Sequence, residues 1–259
     1  MSKRFSSLFF ILIFFISILG QAFGASLYSI EKLGDIGIKV ESTKYGSNMR
    51  VMVEKGNEKY YYSLNDGIEE LPAQLGSGKY TVKILQNTSG NKYKVLKKDN
   101  VSISNNSIDV YLSSSQPIYW KNKDKLIELA DTLTKDLTTD RERVEAVYRY
   151  IVDNIKYDYN KINTISTDYV PDLNEVIISK KGICYDYSAL FAGILRSEGI
   201  HAKLVKGYRS NLSAYHAWNE VFLDGSWVIV DTTYDAALSS VQSQSMIKSV
   251  DEYNKVREY

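Results

Sequence analysis

Three side chains suited to nucleophilic chemistry follow one another along this chain. Cys184 is the only cysteine among the 259 residues and lies at the expected start of a helix, His216 opens an apolar strand-like segment, and Asp231 closes the next one. A thiol nucleophile uses these groups, because an imidazole can take the thiol proton and a carboxylate can orient the imidazole. The order and spacing therefore indicate attack of a thiolate on a carbonyl carbon.

The segment after Cys184 predicts an amphipathic helix that begins at the cysteine. Its apolar positions recur at helical spacing, and they are Tyr187, Leu190, Phe191, Ile194 and Leu195. Gly199 supplies a C-terminal stop. At the first turn of a helix, the free backbone N–H groups and the positive dipole end favour thiolate over thiol. The same N–H groups are candidate donors to a developing oxyanion.

The relative position of His216 and Asp231 can be predicted from a hairpin. Asp224-Gly225 lies between two alternating apolar runs, which indicates a two-residue turn. With this turn, Trp218 lies opposite Asp231 and His216 lies opposite Thr233. His216 and Asp231 are then diagonal neighbours on one face, about 7–8 Å apart at the backbone and within side-chain reach. A slip of one residue would separate them onto opposite faces.

Three sequence segments resemble the core motifs of the transglutaminase-like superfamily. They are Gly182–Ser188, His216–Val221 and Trp227–Thr233. The similarity extends upstream through a helical region from about Trp120, so it covers roughly the second half of the chain.

This resemblance implies a papain-like core with a Cys-His-Asp triad in that chain order. By the match, Cys184 is the nucleophile, His216 the base and Asp231 the residue that orients the histidine. Thr232 stands at a position that is often proline in the family. Transglutaminases, peptidases, amidases and members without the triad all belong to the superfamily, so the resemblance specifies the chemistry better than the substrate.

The implied reaction forms a thioester on Cys184 from a glutamine carboxamide or a peptide carbonyl. The main expectation is transfer of the acyl group to an amine, because aromatic residues such as Trp218 favour a shielded tunnel for that acceptor. The same aromatic residues can equally be core. One alternative is a cysteine peptidase or amidase that uses the same triad on protein or cell-wall peptide. A second alternative is a cell-surface interaction module with low turnover.

The amino-terminal residues 1–24 predict a signal peptide. Lys3 and Arg4 precede the apolar run 8–19, and Ala22-Phe23-Gly24 is a small-x-small cleavage pattern. The apolar run is short for a membrane span. We therefore expect a bacterial protein that is secreted or associated with the cell surface or cell wall, without stable membrane insertion after signal removal. An uncleaved membrane anchor is the alternative.

Residues 26–113 predict a small β-sandwich of the immunoglobulin-like type, because short strands alternate with turn signals. The expected strands are 49–54, 59–63, 79–85, 93–96 and Ile108–Leu112. Residues 113–117 are expected to link this domain to a transglutaminase-like domain over 118–259. The fold class is therefore α+β, with a papain-like catalytic domain that follows an immunoglobulin-like β-sandwich.

Helix signals mark the start of the second predicted domain. Leu126, Leu129, Ala130 and Leu133 indicate one amphipathic helix, and Thr139–Glu142 is a capping box that opens another. The polar, tyrosine-bearing stretch 157–169 precedes the cysteine segment. It is a candidate to line the cleft or to provide a second oxyanion donor.

Composition and motifs argue against several other functions. The formal net charge is +1 with basic and acidic residues interspersed, so nucleic acid is not an expected partner. The sequence has no glycine-rich phosphate loop or helix-loop-helix calcium motif, and one cysteine with two histidines makes no convincing zinc site. We expect no cofactor and no metal, and a protein or peptide substrate, with cell-wall peptide among the candidates.

Three polar residues near the motifs have more ordinary interpretations. No acid or thiol is placed around His201 by the sequence, so it is expected to be structural or exposed. Asp186 and Glu220 are candidates for hydrogen bonds that support the triad, with helix capping or a surface position as the alternative.

Overall fold

The computed structural model describes residues 26–104, 106–166, 168–238 and 245–259. The predicted signal peptide, 1–24, lies outside these residues. Within the described ranges, no helix is both long enough and apolar enough to cross a membrane.

The N-terminal part of the chain forms two antiparallel sheets. The first has three strands in the order β1-β2-β5. These are β1 (Tyr28–Leu33), β2 (Gly37–Ser42) and β5 (Ile68–Pro72). The second has four strands in the order β4-β3-β6-β7. These are β3 (Gly46–Lys55), β4 (Glu58–Leu64), β6 (Gly78–Ser89) and β7 (Lys92–Ile103).

Apolar side chains from both sheets form one core. Val40 and Leu71 of the first sheet belong to the same buried cluster as Val51, Tyr62 and Ile84 of the second. Alternation of these residues with exposed positions is what allows each sheet to bury one face. An immunoglobulin-like arrangement of this part stays a prediction.

One predicted strand in this part is wrong. Ile108–Leu112 forms a 3-10 helix instead. The Ser107 side chain accepts a hydrogen bond from the Asp109 backbone N–H, and this cap favours a helical turn at that point. Val110 and Tyr111 are buried by the turn, so their apolar character reflects burial and not a strand.

The C-terminal part combines helices with another antiparallel sheet. Its helices are α1 (Asp124–Thr134), α2 (Asp140–Asn154), α3 (Leu173–Ser179), α4 (Cys184–Ser197) and α5 (Thr232–Leu238). Its five-stranded sheet has the order β13-β12-β11-β10-β14. These strands are β10 (Ala202–Arg209), β11 (His216–Leu223), β12 (Ser226–Val230), β13 (Ile247–Lys248) and β14 (Tyr253–Glu258). Two short strands, β8 (Lys156–Tyr157) and β9 (Lys181–Gly182), pair in parallel just before α4.

Helix α4 is the centre of the C-terminal core. Leu190, Phe191 and Ile194 are fully buried among residues of α1, α2 and the sheet. The Asn219 side chain on β11 donates hydrogen bonds to the Ser188 carbonyl oxygen at 2.9 Å and to the Lys203 carbonyl oxygen at 3.0 Å. These bonds fix the helix that carries the cysteine against the strand that carries the histidine.

The predicted hairpin is confirmed, and it ends earlier than expected. Leu223 pairs with Ser226, and Asp224 and Gly225 both have positive φ, which matches a type I′ turn. Thr233 does not lie opposite His216, because β12 ends at Val230 and the chain enters α5. Asp231 is therefore the residue just before α5, where its side chain can cap that helix.

Residues 113–117 pack against the N-terminal sheets and are not a free linker. The Gln116 side chain accepts from the Ser63 backbone N–H at 2.7 Å and donates to the Ser63 carbonyl oxygen at 2.9 Å. It also donates to Glu69 Oε1 at 2.8 Å. The boundaries 26–113 and 118–259 stay predictions.

Candidate active site

The structure brings His216 and Asp231 into direct contact. His216 begins β11 and Asp231 follows the end of β12, and its Oδ2 atom lies 2.8 Å from His216 Nε2. Both side chains are buried, with Asp231 at 0% exposure. The hairpin predicted from Asp224-Gly225 thus places these two side chains together as expected.

The surroundings of His216 favour its charged form. Burial acts to lower the pKa of His216, but hydrogen bonds and charge interactions with Asp231 and Cys184 raise it to about 9. Because Asp231 occupies Nε2, Nδ1 is the ring nitrogen that is left to interact with the thiol. The imidazole therefore lies between the acid and the thiol, as a base in acyl transfer requires.

Cys184 is the first residue of α4, as the sequence predicted. Its thiol is free and partly exposed. The helix start is held by Asp186, whose Oδ2 atom accepts from the Ile183 backbone N–H at 2.8 Å. Of the two interpretations open for Asp186, capping is the one that the structure shows.

Asp186 also fixes the segment that precedes the cysteine. Its buried carboxylate pairs with Lys161 Nζ at 2.9 Å and accepts a hydrogen bond from the Tyr169 hydroxyl. Tyr157 lies close to the thiol: burial, followed by the charge of Cys184, raises the pKa of Tyr157 to about 12. The start of the stretch 157–169, at Tyr157, therefore lies near the Cys184 thiol, in line with the expectation that the stretch lines the cleft.

Sequence reasoning missed a second hydrogen-bond donor to Asp231. The Tyr253 hydroxyl on β14 donates to Oδ2 of Asp231 at 3.0 Å, and it accepts from Arg209 Nε at 3.0 Å. The other carboxylate oxygen, Oδ1, accepts from the Tyr234 backbone N–H at 3.0 Å and so caps α5. Tyr253 carries no local motif, and its role depends on the pairing of β14 with β10.

Trp218 supports His216 from the core. Its side chain is 1% exposed and stacks on the imidazole, with ring centroids 6.3 Å apart and an interplanar angle of 26°. Gly207 makes room for it, since a Cβ atom there would lie 2.8 Å from the Trp218 ring and 2.1 Å from the Asn254 carbonyl oxygen. Of the two interpretations open for Trp218, a core position is the one that the structure shows.

The remaining polar residues lie in ordinary pairs. His201 Nε2 contacts Asp109 Oδ1 at 2.9 Å, a partner distant in sequence. Glu220 pairs with Lys255 at 3.1 Å and with Lys203 at 3.4 Å. In the described ranges, no group of three or more histidine, cysteine or acidic residues could hold a metal ion.

The sequence profile of the transglutaminase-like superfamily matches residues 127–232, which include Cys184, His216 and Asp231. This segment belongs to the transglutaminase-like superfamily. It combines helices and strands in a transglutaminase-like fold.

Several curated proteins are similar to this segment. Kyphoscoliosis peptidase of Homo sapiens is 28% identical over 153 residues, which cover 54% of this chain and 23% of that protein. The uncharacterized protein YebA of Bacillus subtilis is 30% identical over 166 residues, covering 54% of this chain and 22% of that protein. The chain thus spans less than a quarter of the length of these relatives.

Among solved structures, the periplasmic domain of TgpA from Pseudomonas aeruginosa is 18% identical with a TM-score of 0.43. The match covers 83% of this chain and 75% of the TgpA chain. LapG of Legionella pneumophila is 16% identical with a TM-score of 0.33, and it covers 44% of this chain and 74% of its own.

Proposed function

We propose that this protein is a thiol-dependent acyl-transfer enzyme that forms a thioester on Cys184 from a carbonyl group of a protein or peptide. The observation that carries the proposal is the buried contact of 2.8 Å between His216 Nε2 and Asp231, with the pKa of His216 raised towards 9 by Asp231 and Cys184 against the effect of burial. Cys184 is the nucleophile, His216 the acid and base, and Asp231 the residue that orients the imidazole.

The first half-reaction acylates the thiol. The thiolate of Cys184 attacks the carbonyl carbon, and the oxyanion that develops lies near the backbone N–H groups at the start of α4. The imidazolium of His216 then gives its proton to the leaving nitrogen, so that ammonia or an amine departs. Cys184 is left as a thioester, and His216 is left neutral.

The second half-reaction returns the enzyme to its starting state. Neutral His216 takes a proton from the acceptor, the acceptor attacks the thioester carbon, and the thiolate leaves. Water is the acceptor that the geometry favours, because the Cys184 thiol is partly exposed and Trp218 lies behind the imidazole instead of shielding the thiol. The similarity to a protein named as a peptidase agrees with hydrolysis.

Transfer to an amine is the second candidate. It is favoured by the tyrosine-bearing stretch before the cysteine, in which Tyr157 adjoins the thiol and Tyr169 hydrogen-bonds to the buried Asp186. Such aromatic side chains exclude water from part of the site, and a primary amine competes with water only where water is restricted.

The test separates both reactions from a lack of catalysis. A glutamine-rich protein is incubated with a fluorescent primary amine, and label incorporation, ammonia release and peptide cleavage are followed together. We expect cleavage or ammonia release that is lost in Cys184→Ala and His216→Ala and kept in His201→Ala, the matched control. Incorporation would establish the amine as acceptor. No signal from several donors, with a correctly folded protein, would contradict the enzyme and favour the interaction module.

The proposed site of action is outside the cytoplasm, at the cell surface or cell wall. This rests on the signal-peptide pattern in residues 1–24. N-terminal sequencing of the exported protein should give a start near Ala25. An intact Met1 in the membrane fraction would show that the protein is anchored to the membrane and not secreted.

A further inference from the structure

A cavity of about 280 Å³ lies between the N-terminal sheets and the transglutaminase-like segment. Both parts of the chain contribute to its wall, including Arg50, Tyr61, Tyr93, Tyr169, Tyr185 and Lys206. Among the described residues, six tyrosines and three charged residues, Arg50, Asp168 and Lys206, line it. A cleft between two cores that combines aromatic walls with a small number of charged groups is typical of a ligand site.

Lys206 brings an unpaired positive charge to this cavity. Its Nζ atom lies 3.3 Å from the ring centroid of Tyr185 and 5.5 Å from that of Tyr259. In the described part of the chain, Lys206 makes no ion pair or hydrogen bond, whereas Arg50 in the same wall pairs with Asp168 at 2.9 Å. A half-buried ammonium that is held on aromatic faces without an anion gains most from an anionic ligand.

The same lysine lies beside the nucleophile. Tyr185, which Lys206 covers, follows Cys184 directly, and Lys206 precedes Gly207, which pairs with His216 across the sheet. Burial lowers the pKa of Lys206 to about 8, and the nearby Cys184 opposes this effect. A group bound at Lys206 is therefore close to the reacting carbonyl.

We propose that this cavity binds a carboxylate of the peptide substrate at Lys206, so that the enzyme selects acidic peptides. The inference rests on the proposed function, since it specifies the substrate of the same site. The carboxylate is supplied by an acidic side chain or by a free carboxyl terminus, and both carry a negative charge that can pair with Lys206. Tyr61 and Tyr93, from the N-terminal sheet, contact the uncharged part of the peptide.

The first experiment uses two small reagents that alkylate Cys184. Iodoacetate carries a carboxylate, whereas iodoacetamide is neutral and similar in size. We define the reagent ratio as the alkylation rate with iodoacetate divided by the rate with iodoacetamide. We expect this ratio to fall about fivefold in Lys206→Gln, because one positive charge near the thiol is lost. The ratio should be kept in Lys206→Arg and in Lys125→Gln, a control that removes an exposed lysine of α1.

The pH dependence gives an independent readout. The ratio should decline as the pH rises through about 8, where Lys206 loses its proton. The titratable or charged groups around it are Cys184, Tyr185, Tyr259 and Arg257, with Arg50, Asp168 and Tyr169 in the wall of the same cavity. His216, whose pKa is raised to about 9, also loses a charge near the thiol, so the decline due to Lys206 is the part that is absent in Lys206→Gln. Because the two reagents react with the same thiol, titration of Cys184 cancels in the ratio. A ratio that does not change with pH in this range would contradict an anion site at Lys206.

The second experiment measures how well tripeptides protect Cys184 from iodoacetamide. Acetyl-Ala-Glu-Ala-amide and acetyl-Ala-Gln-Ala with a free carboxyl terminus should each be compared with the neutral acetyl-Ala-Gln-Ala-amide. Better protection by the first identifies a side chain as the source of the carboxylate, and better protection by the second identifies the terminus. Either effect should vanish in Lys206→Gln, and Tyr61→Ala should weaken protection without changing the reagent ratio.

Failure of this inference differs from failure of the proposed function. If iodoacetamide does not react with the native protein faster than with the denatured protein, the assignment of Cys184 as an activated nucleophile is wrong. If iodoacetamide reacts fast but the reagent ratio is equal in wild type and Lys206→Gln, the anion site is wrong. Equal protection by all three tripeptides would likewise overturn it.

Discussion

The Tyr253 hydroxyl and His216 Nε2 share one acceptor, the Oδ2 atom of Asp231. Tyr253 lies 3.0 Å and His216 2.8 Å from this oxygen, and Tyr253 in turn accepts from Arg209. The carboxylate that contacts the imidazole is therefore itself held by β14. This shared acceptor ties the position of His216 to the last strand of the sheet.

Replacement of Tyr253 by Phe should slow acylation of Cys184 without abolishing it. The variant removes one hydrogen bond from a buried carboxylate that keeps its contact with His216, and a hydrogen bond to a charged group contributes about 1.5–3 kcal/mol. The Asp231 carboxylate can then rotate away from His216, and the alkylation rate at neutral pH should fall several-fold. Tyr208→Phe is the control, because its ring is largely exposed. Equal losses in both variants would argue against a positioning role for Tyr253.

The sequence predicted the triad contact because that contact depends on local geometry. The turn at Asp224-Gly225 sets the pairing of β11 and β12, and this pairing alone places His216 next to Asp231. Tyr253 and Lys206 could not be found in the same way. Their positions depend on how β14 pairs with β10 and on how the N-terminal sheets pack against the rest of the chain, and neither leaves a periodic pattern.

The strands that the sequence missed have a similar explanation. Strand β1 carries charged and polar residues at most of its positions, and β5 contains Glu69, Glu70 and a proline, all of which weaken a strand signal. These strands are stabilised instead by packing against the second sheet, which buries Leu71 of β5. Ile108–Leu112 shows the opposite case, in which apolar residues predicted a strand and a local cap produced a 3-10 helix.

The stability of the protein should depend on pH through His216. Its pKa is raised from the ordinary 6.5 to about 9, because Asp231 and Cys184 outweigh the effect of burial. The folded state then binds its proton more tightly than the unfolded state, so the stabilisation is fully present below pH 6.5 and is lost as the pH rises through 9. The contribution of His216 should fall by an amount on the order of 2–3 kcal/mol over this range. Lys206 acts in the opposite direction, because burial lowers its pKa to about 8, so urea unfolding of the wild type should show a smaller net loss.

His216→Gln is the variant that tests this pH dependence. It removes the titrating group, so most of the loss between pH 6.5 and 9 should disappear. His201→Gln controls for the other histidine, which pairs with Asp109 outside the site. An unchanged pH dependence in His216→Gln would show that another group is responsible.

Asp186→Asn should loosen the segment that borders the cysteine. The substitution keeps the shape of the side chain but removes the charge that pairs with Lys161 and caps α4 at Ile183. Breaking a buried ion pair by removing one partner costs about 3–5 kcal/mol, because the other charge is left uncompensated. We expect a lower midpoint of urea unfolding and faster proteolysis within 157–169.

A control for this variant is Asp172→Asn, which also removes a helix-capping carboxylate but at the exposed start of α3. Its effect should be much smaller, since an exposed ion pair contributes about 0–1 kcal/mol. If both variants lose the same stability, Asp186 acts only as a cap, and its contact with Lys161 contributes nothing measurable.

Gly207→Ala should disturb the site through the backbone of β14. The new methyl group would lie 2.1 Å from the Asn254 carbonyl oxygen and 2.8 Å from the Trp218 ring, so either the strand or the indole must move. Moving β14 carries Tyr253 away from Asp231, and moving Trp218 removes the support of the imidazole. We expect destabilisation of about 2 kcal/mol or more and a large loss of Cys184 reactivity.

Gly199→Ala is the matched control, because a Cβ atom there meets nothing within 4 Å although its φ is +77°. It should lose about 1 kcal/mol from backbone strain and keep the reactivity of the thiol. A Gly207→Ala protein with full reactivity would show that the site tolerates displacement of β14, and that Tyr253 is not needed to hold Asp231.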